Sequence, residues 1–299
     1  MFRRTVLTLA AAALTSTLIP ATTLAQQGAS TMPTPTKSGY VPVNGGKVYY
    51  ATYGQSASLA PLVLLHGGLM TVEAFGPILA TLAATREVIA IEAQGHGRTG
   101  LLDRAMSFEN MAADVAAVIA VLGYDKVDVM GYSMGGSTGL RLALDHPELV
   151  GKLVIASAPY AFAGWHDYNQ QGMRSMSSAL AEMMKPSPLY AAFAAVNPDP
   201  ETNFGKLLDQ MAYMGRDYDW SAEIGNLKAP TLLVVGDWDA VRTSHTAKFF
   251  ELLGGGLHDA QWDRSGMNAN RLAILPGVTH YTMMTELKLA ETALGFLNG

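Results

Sequence analysis

The chain has 299 residues, 49% of them apolar and 15% charged, with a formal net charge of −5. That composition excludes a disordered chain, and a negative balance without a Lys/Arg cluster excludes nucleic acid or an anionic membrane surface as the main partner. The absence of cysteine excludes disulfides, thiolate zinc sites, iron–sulfur clusters and a cysteine nucleophile.

The first residues read as an export signal. Arg3 and Arg4 supply the positive start, Val6 to Ile19 is uncharged and largely Ala, Leu and Thr, and Thr23-Leu24-Ala25 ends in a small residue. The apolar stretch is broken by Pro20 and falls short of the ~20 residues that span a bilayer. The expectation is a signal peptide over 1–25, an exported protein (periplasmic or secreted), and no stable membrane insertion after cleavage. Residues 26–39, rich in Pro, Ser and Thr, read as a disordered leader.

Tyr40-Val43 and Lys47-Tyr53 flank Asn44-Gly45-Gly46, a tight-turn signal, and form a hairpin. Pro61-Leu65, Val88-Ile91, Val127-Met130, Leu153-Ala156, Thr231-Val235 and Leu272-Leu275 are short continuous apolar runs. Such runs suit strands buried on both faces. Ser107 caps a helix that starts near Met111 and stops at Gly123; Ser137 to His146 is a second, stopped by Pro147, and Glu286 to Leu297 a last. Strands alternating with helices predict an α/β fold, a doubly wound and mostly parallel sheet. Residues 160–227 break the alternation with helical, Met-rich patches. They are expected as a helical lid inserted in a core made of 40–159 and 228–299.

Gly131-Tyr132-Ser133-Met134-Gly135-Gly136 follows a strand and precedes a helix, the context that G-x-S-x-G requires. The turn pushes a serine hydroxyl into the open, with the helix N-terminus behind it, where negative charge would develop. A serine hydroxyl needs an adjacent base, and the base needs a carboxylate. Asp239 lies just past the strand Thr231-Val235, and His280 just past Leu272-Leu275. Both therefore sit on the carboxyl edge of the sheet, with Ser133. An oxyanion hole needs two backbone donors. Met134, after the nucleophile, is one. The second comes from His66-Gly67-Gly68-Leu69, with Gly68 preferred and Leu69 next.

Together with Gln94-Gly95-His96-Gly97-Arg98, Gly236-Asp237-Trp238-Asp239 and Gly277-Val278-Thr279-His280, these residues resemble the α/β-hydrolase superfamily over nearly all of Tyr40 to Leu297. The likeness points to the branch of serine esterases and non-haem haloperoxidases. It implies a Ser133-His280-Asp239 triad, with Asp239 favoured over Asp237 because the acid stands fourth in G-x-x-D. It also implies a lid over 160–227 and no cofactor. His66 and His96 become loop-shaping residues. Two departures stand out: the loop after Asp239 reads Val241-Arg242-Thr243 without the usual proline, and the polar stretch Gly254 to Asn270 lengthens the spacing to His280.

His146, His166, His245 and His258 read as surface histidines. No H-E-x-x-H or close His/Asp cluster appears, so no metal is expected. Met173, Met176, Met183, Met184, Met211 and Met214, with Trp165, Phe193 and Tyr213, either line an adaptable apolar pocket or pack the lid onto the body. The expected function is cleavage of a small-molecule carboxylic ester through an acyl-enzyme on Ser133. Two alternatives stand beside it: acyl transfer to peroxide by a cofactor-free perhydrolase, and a non-catalytic binding protein on a hydrolase scaffold, against which the complete triad argues. Epoxide and haloalkane hydrolysis would call for an aspartate where Ser133 stands.

Overall fold

Alternation along each strand decides how the sheet is buried. In the computed structural model, which describes residues 32–55 and 58–299, Val63, Leu65, Ile89, Ile91, Val129 and Ile155 join one apolar core. Their chain neighbours Leu62, Leu64, Val88, Ala90, Met130 and Val154 join a second. Each run is apolar throughout because both of its faces are covered. The expected signal peptide, and the leader up to residue 31, lie outside the described residues.

The strands are β1 (Lys37–Val43), β2 (Gly46–Tyr53), β3 (Leu62–Leu65), β4 (Val88–Ile91), β5 (Val127–Tyr132), β6 (Val150–Ala156), β7 (Thr231–Trp238) and β8 (Arg271–Thr279). They form one sheet in the order β1-β2-β4-β3-β5-β6-β7-β8. β1 and β2 pair antiparallel, as do β2 and β4; every other pair is parallel. Asn44 and Gly45 at the hairpin turn both have positive φ, 46° and 88°, the geometry a two-residue hairpin of native twist requires.

Helices cover both faces. α1 (Gly76–Ala83) and the carboxyl-terminal helix bury Ile78, Leu79, Leu82, Leu289, Ala290, Ala293 and Leu297 in one core. α2 (Phe108–Leu122) and α3 (Met134–Asp145) bury Met111, Val115, Val118, Ile119, Leu140 and Leu142 in the other. Ser107 caps α2 through the Asn110 amide, and Gly123 ends it at φ 82°. Chain order reverses beside β3: β4 lies to one side of it and β5 to the other. Carboxyl ends at such a reversal leave a crevice between diverging loops.

Between β6 and β7 run α4 (Asp167–Arg174), α5 (Ala181–Met184), α6 (Pro188–Val196) and α7 (Pro200–Met211). Ser187 and Asp199 cap α6 and α7, each followed by proline at the first turn. α7 buries Phe204, Leu207, Leu208 and Met211, one helical face. The chain then completes α8 (Thr243–Leu252) after β7 and α9 (Leu287–Leu297) after β8. No helix among the described residues is long and apolar enough to cross a membrane.

The ordered sheet begins earlier than the composition suggests. Residues up to 39 read as disordered leader, yet Lys37, Ser38 and Gly39 pair with Thr52, Ala51 and Tyr50, and the Thr36 amide donates to the Thr52 carbonyl at 2.8 Å. These residues bond through the backbone while their side chains mostly face water, so hydropathy does not reveal them. α3 likewise starts at Met134 and not near Ser137, since Gly135-Gly136 carries no apolar signal.

Candidate active site

β5 ends in a turn that only particular residues can build. Ser133 stands at φ 53° and ψ −117°, outside the ordinary regions for a residue with a side chain. A Cβ on Gly131 would land on the Gly135 carbonyl, and one on Gly135 on the Leu65 carbonyl, so both glycines are sterically required. The Ser133 amide donates to the Ala156 oxygen of β6 at 2.9 Å, which pins the turn to the neighbouring strand. The hydroxyl is left half-buried, with α3 starting directly behind it.

His280 and Asp239 meet it from the loops after β8 and β7. Ser133 Oγ lies 3.1 Å from His280 Nε2, and His280 Nδ1 lies 2.8 Å from Asp239 Oδ1. Burial by itself would raise the Asp239 carboxyl, but hydrogen bonds from His280, Ser157 and the Val241 amide outweigh it and hold the group below the ordinary carboxylate range. The Val241 amide donates to Oδ1 at 3.1 Å and the Gly236 amide to Oδ2 at 3.2 Å. Ser157 Oγ donates to Oδ2 at 2.6 Å. Asp237 points elsewhere: it is exposed and accepts from the Gly277 amide at 2.8 Å.

Gly254 to Asn270 leaves this arrangement untouched. It precedes Arg271, at the amino end of β8, on the opposite edge of the sheet from His280. The side chains of Asn268 and Asn270 both donate to the Leu253 carbonyl, at 2.9 and 2.8 Å, closing the loop at its base.

The glycine loop after β3 faces α3. The Leu69 amide donates to His96 Nε2 at 2.9 Å and is engaged, which leaves Gly68. A Cβ on Gly68 would sit 2.7 Å from the Met211 methyl and 4.0 Å from the Met134 sulfur, so Gly68, Met134 and the end of α7 converge. Leu207, one turn back on α7, lies over Gly95 in the same way. Met211 and Met214 are buried in the core, whereas Met183 is 71% exposed. The insertion's methionines therefore divide between packing and solvent.

His66 and His96 are fully buried and act as braces. His66 Nδ1 donates to the Gly67 carbonyl at 2.7 Å, and its Nε2 accepts from the Ala93 amide at 3.1 Å. His96 Nδ1 donates to the Gln94 carbonyl at 3.0 Å. Burial pushes His66 down to about 4 and His96 to about 3, so both stay neutral. His245 departs from the surface reading. Its ring stacks on Tyr160 at 4.0 Å, its Nε2 is buried without a partner, and burial lowers it to about 4. The sequence shows Tyr160 and His245 only as distant residues, so their stacking is invisible there. His146 lies 3.6 Å from Glu148, a pairing the sequence reading did not assign.

Three supporting residues carry no sequence signal. They are Ser157, Tyr132 and Glu92. Tyr132 donates to the His280 carbonyl at 2.6 Å. Glu92, at the end of β4, accepts from the Arg98 guanidinium at 2.7 Å and from the Val72 amide at 3.4 Å, joining the loops after β3 and β4. No group of three or more metal-ligating side chains converges among the described residues.

The sequence model of the alpha/beta hydrolase fold matches residues 60–252. The chain belongs to the α/β-hydrolase family. A 2-hydroxy-6-oxo-6-(2'-aminophenyl)hexa-2,4-dienoic acid hydrolase from Metapseudomonas resinovorans is 28% identical over 88% of this hydrolase and 92% of its own length. A soluble epoxide hydrolase from Corynebacterium sp. (strain C12) is 35% identical, but over only 38% of each chain. Carboxylesterase CesB from Bacillus subtilis superposes with a TM-score of 0.65 at 20% identity, covering 88% of this hydrolase and 92% of that chain. That likeness is one of fold.

Proposed function

We propose that this hydrolase cleaves a small carboxylic ester through an acyl-enzyme on Ser133. The observation behind the reading is the unbroken relay from Ser133 Oγ to His280 Nε2 at 3.1 Å and from His280 Nδ1 to Asp239 Oδ1 at 2.8 Å. Ser133 attacks the ester carbonyl as His280 takes its proton. Asp239 fixes the imidazole tautomer and stabilises the imidazolium. The amides of Gly68 and Met134 donate to the oxyanion of the tetrahedral intermediate, where charge develops against fixed dipoles. His280 then protonates the leaving alcohol and afterwards draws the proton from the water that releases the acid.

A serine at the turn also separates this hydrolase from any route that opens an epoxide by carboxylate attack. The hexadienoic acid hydrolase is a relative matched along most of its length, so 2-hydroxy-6-oxo-6-(2'-aminophenyl)hexa-2,4-dienoic acid belongs among the substrates assayed.

The test is hydrolysis of p-nitrophenyl esters of increasing acyl length by the wild type and by Ser133→Ala. Loss of turnover in a folded variant is expected; full activity in Ser133→Ala would sink the mechanism. If no ester turns over while a fluorophosphonate still labels the wild type at Ser133, the nucleophile is live. The acceptor or the scissile bond is then different, with peroxide, lactone and amide substrates next. Absence of labelling in folded protein would favour a binding role.

A further inference from the structure

Ser157 follows the last residue of β6, as Ser133 follows the last residue of β5. It is fully buried, and its backbone stands at φ 52°, a conformation that suits glycine and strains a residue with a side chain. Its amide donates to the Val234 oxygen of β7 at 2.8 Å, so the strained turn is held from the next strand. Its hydroxyl donates to Asp239 Oδ2 at 2.6 Å.

Glycine would meet the backbone need at position 157 without strain. What serine adds there is the hydroxyl, and that hydroxyl goes to Asp239. The two carboxylate oxygens divide their work. Oδ1 serves His280 Nδ1 beside the Val241 amide at 3.1 Å, and Oδ2 is held by Ser157, with the weaker Gly236 amide at 3.2 Å. The Ser157 bond is the shortest of those that resist rotation about the Cβ–Cγ bond, and so does most to keep the other oxygen in line with the imidazole.

We propose that Ser157 is a positioning residue for the reaction, acting through Asp239 to keep His280 in register with Ser133. This rests on the reading of Ser133, His280 and Asp239 given above. The geometry separates the two properties of Ser157. Strain comes from its having a Cβ, and positioning from its having a hydroxyl.

The experiment compares Ser157→Gly and Ser157→Thr with the wild type and with Ser133→Ala, reading kcat, KM and thermal midpoint. Ser157→Gly loses the donor and releases the strain. Its kcat should fall on the order of 10- to 100-fold with KM nearly unchanged, while its midpoint holds. Ser157→Thr keeps the donor on a β-branched side chain. It should retain most of the kcat per folded molecule with a lower midpoint. Wild-type kcat in Ser157→Gly, or kcat that follows the midpoint across the variants, would overturn the assignment and leave Ser157 a packing residue. An inactive Ser133→Ala beside a fully active Ser157→Gly removes only the role of Ser157; an active Ser133→Ala removes the mechanism beneath it.

Discussion

Tyr132 donates its phenol proton to the carbonyl oxygen of His280 at 2.6 Å, so the residue before the proposed nucleophile anchors the proposed base. Their rings also approach to 5.2 Å. Tyr132→Phe keeps the ring and strands a buried carbonyl, at a cost of about 1–3 kcal/mol. The base then gains freedom relative to Ser133. Expected outcomes are a lower thermal midpoint and a fall in kcat of up to about 10²-fold with little change in KM. A variant with unchanged kcat would show that the loop after β8 is held well enough without this bond.

Asp239 fixes which nitrogen of His280 carries the proton. Asp239→Asn presents an amide that can donate to Nδ1 and so favours the wrong tautomer. A loss in kcat of about 10⁴-fold is expected by analogy with serine-protease triads. Asp237→Asn should stay near wild type, because Asp237 is exposed and bonded to the Gly277 amide. Assaying the two variants side by side checks the choice between the carboxylates.

Acid should weaken the fold through His66 and His96. Burial lowers them from 6.5 to about 4 and about 3. The unfolded chain therefore binds protons that the native one refuses. Their contribution is fully present above pH 6.5 and is lost as pH falls from there towards 4. For His66 alone the difference is on the order of 3 kcal/mol. Each Nε2 accepts a backbone N–H, so protonation would set donor against donor. Glu92, raised by burial to about 7, takes up a native proton over the same span and offsets about one of the two rings. Denaturant melts at pH 7.5, 5.5 and 4.5 should still show a falling midpoint; a flat profile would mean that the two rings together refuse no more than the one proton that Glu92 takes up.

Met211 ends α7 with its methyl over Gly68. Met211→Ala should open space beside the proposed oxyanion donor. The ratio of kcat/KM for long over short acyl esters is expected to rise several-fold. Removing a buried methionine side chain should also lower stability by about 2–5 kcal/mol. An unchanged length profile would place the acyl group away from α7.

The strands were readable because six are short apolar runs and the first two flank the tight-turn signal Asn44-Gly45-Gly46, properties of composition over a few residues. The order Ser, Asp, His was readable for a related reason, since each residue follows such a run. What escaped was whatever depends on two distant segments meeting. Ser157 follows an apolar strand and looks like any serine in a loop; only the fold brings Asp239 to it. His245 stacks on Tyr160 across the start of the helical insertion. α1 and α8 are short, with weak periodicity and no strong caps; Phe75 before α1 and Arg242 before α8 make no side-chain cap bond. The beginning of β1 escaped because it is held by backbone pairing and threonine hydroxyls, with no apolar run to mark it.

The proposed base stands after the last strand of the sheet, far along the chain from the proposed nucleophile. The turn that holds Ser133 is complete once β5 and β6 pair, yet the imidazole and its carboxylate are in place only when β7 and β8 have joined the edge. Until they have, the serine is without its proposed proton acceptor and should stay unreactive towards any ester it meets. Completion of the sheet thus serves as the moment of ignition, and a fragment ending before Thr279 would be a nucleophile that never turns on.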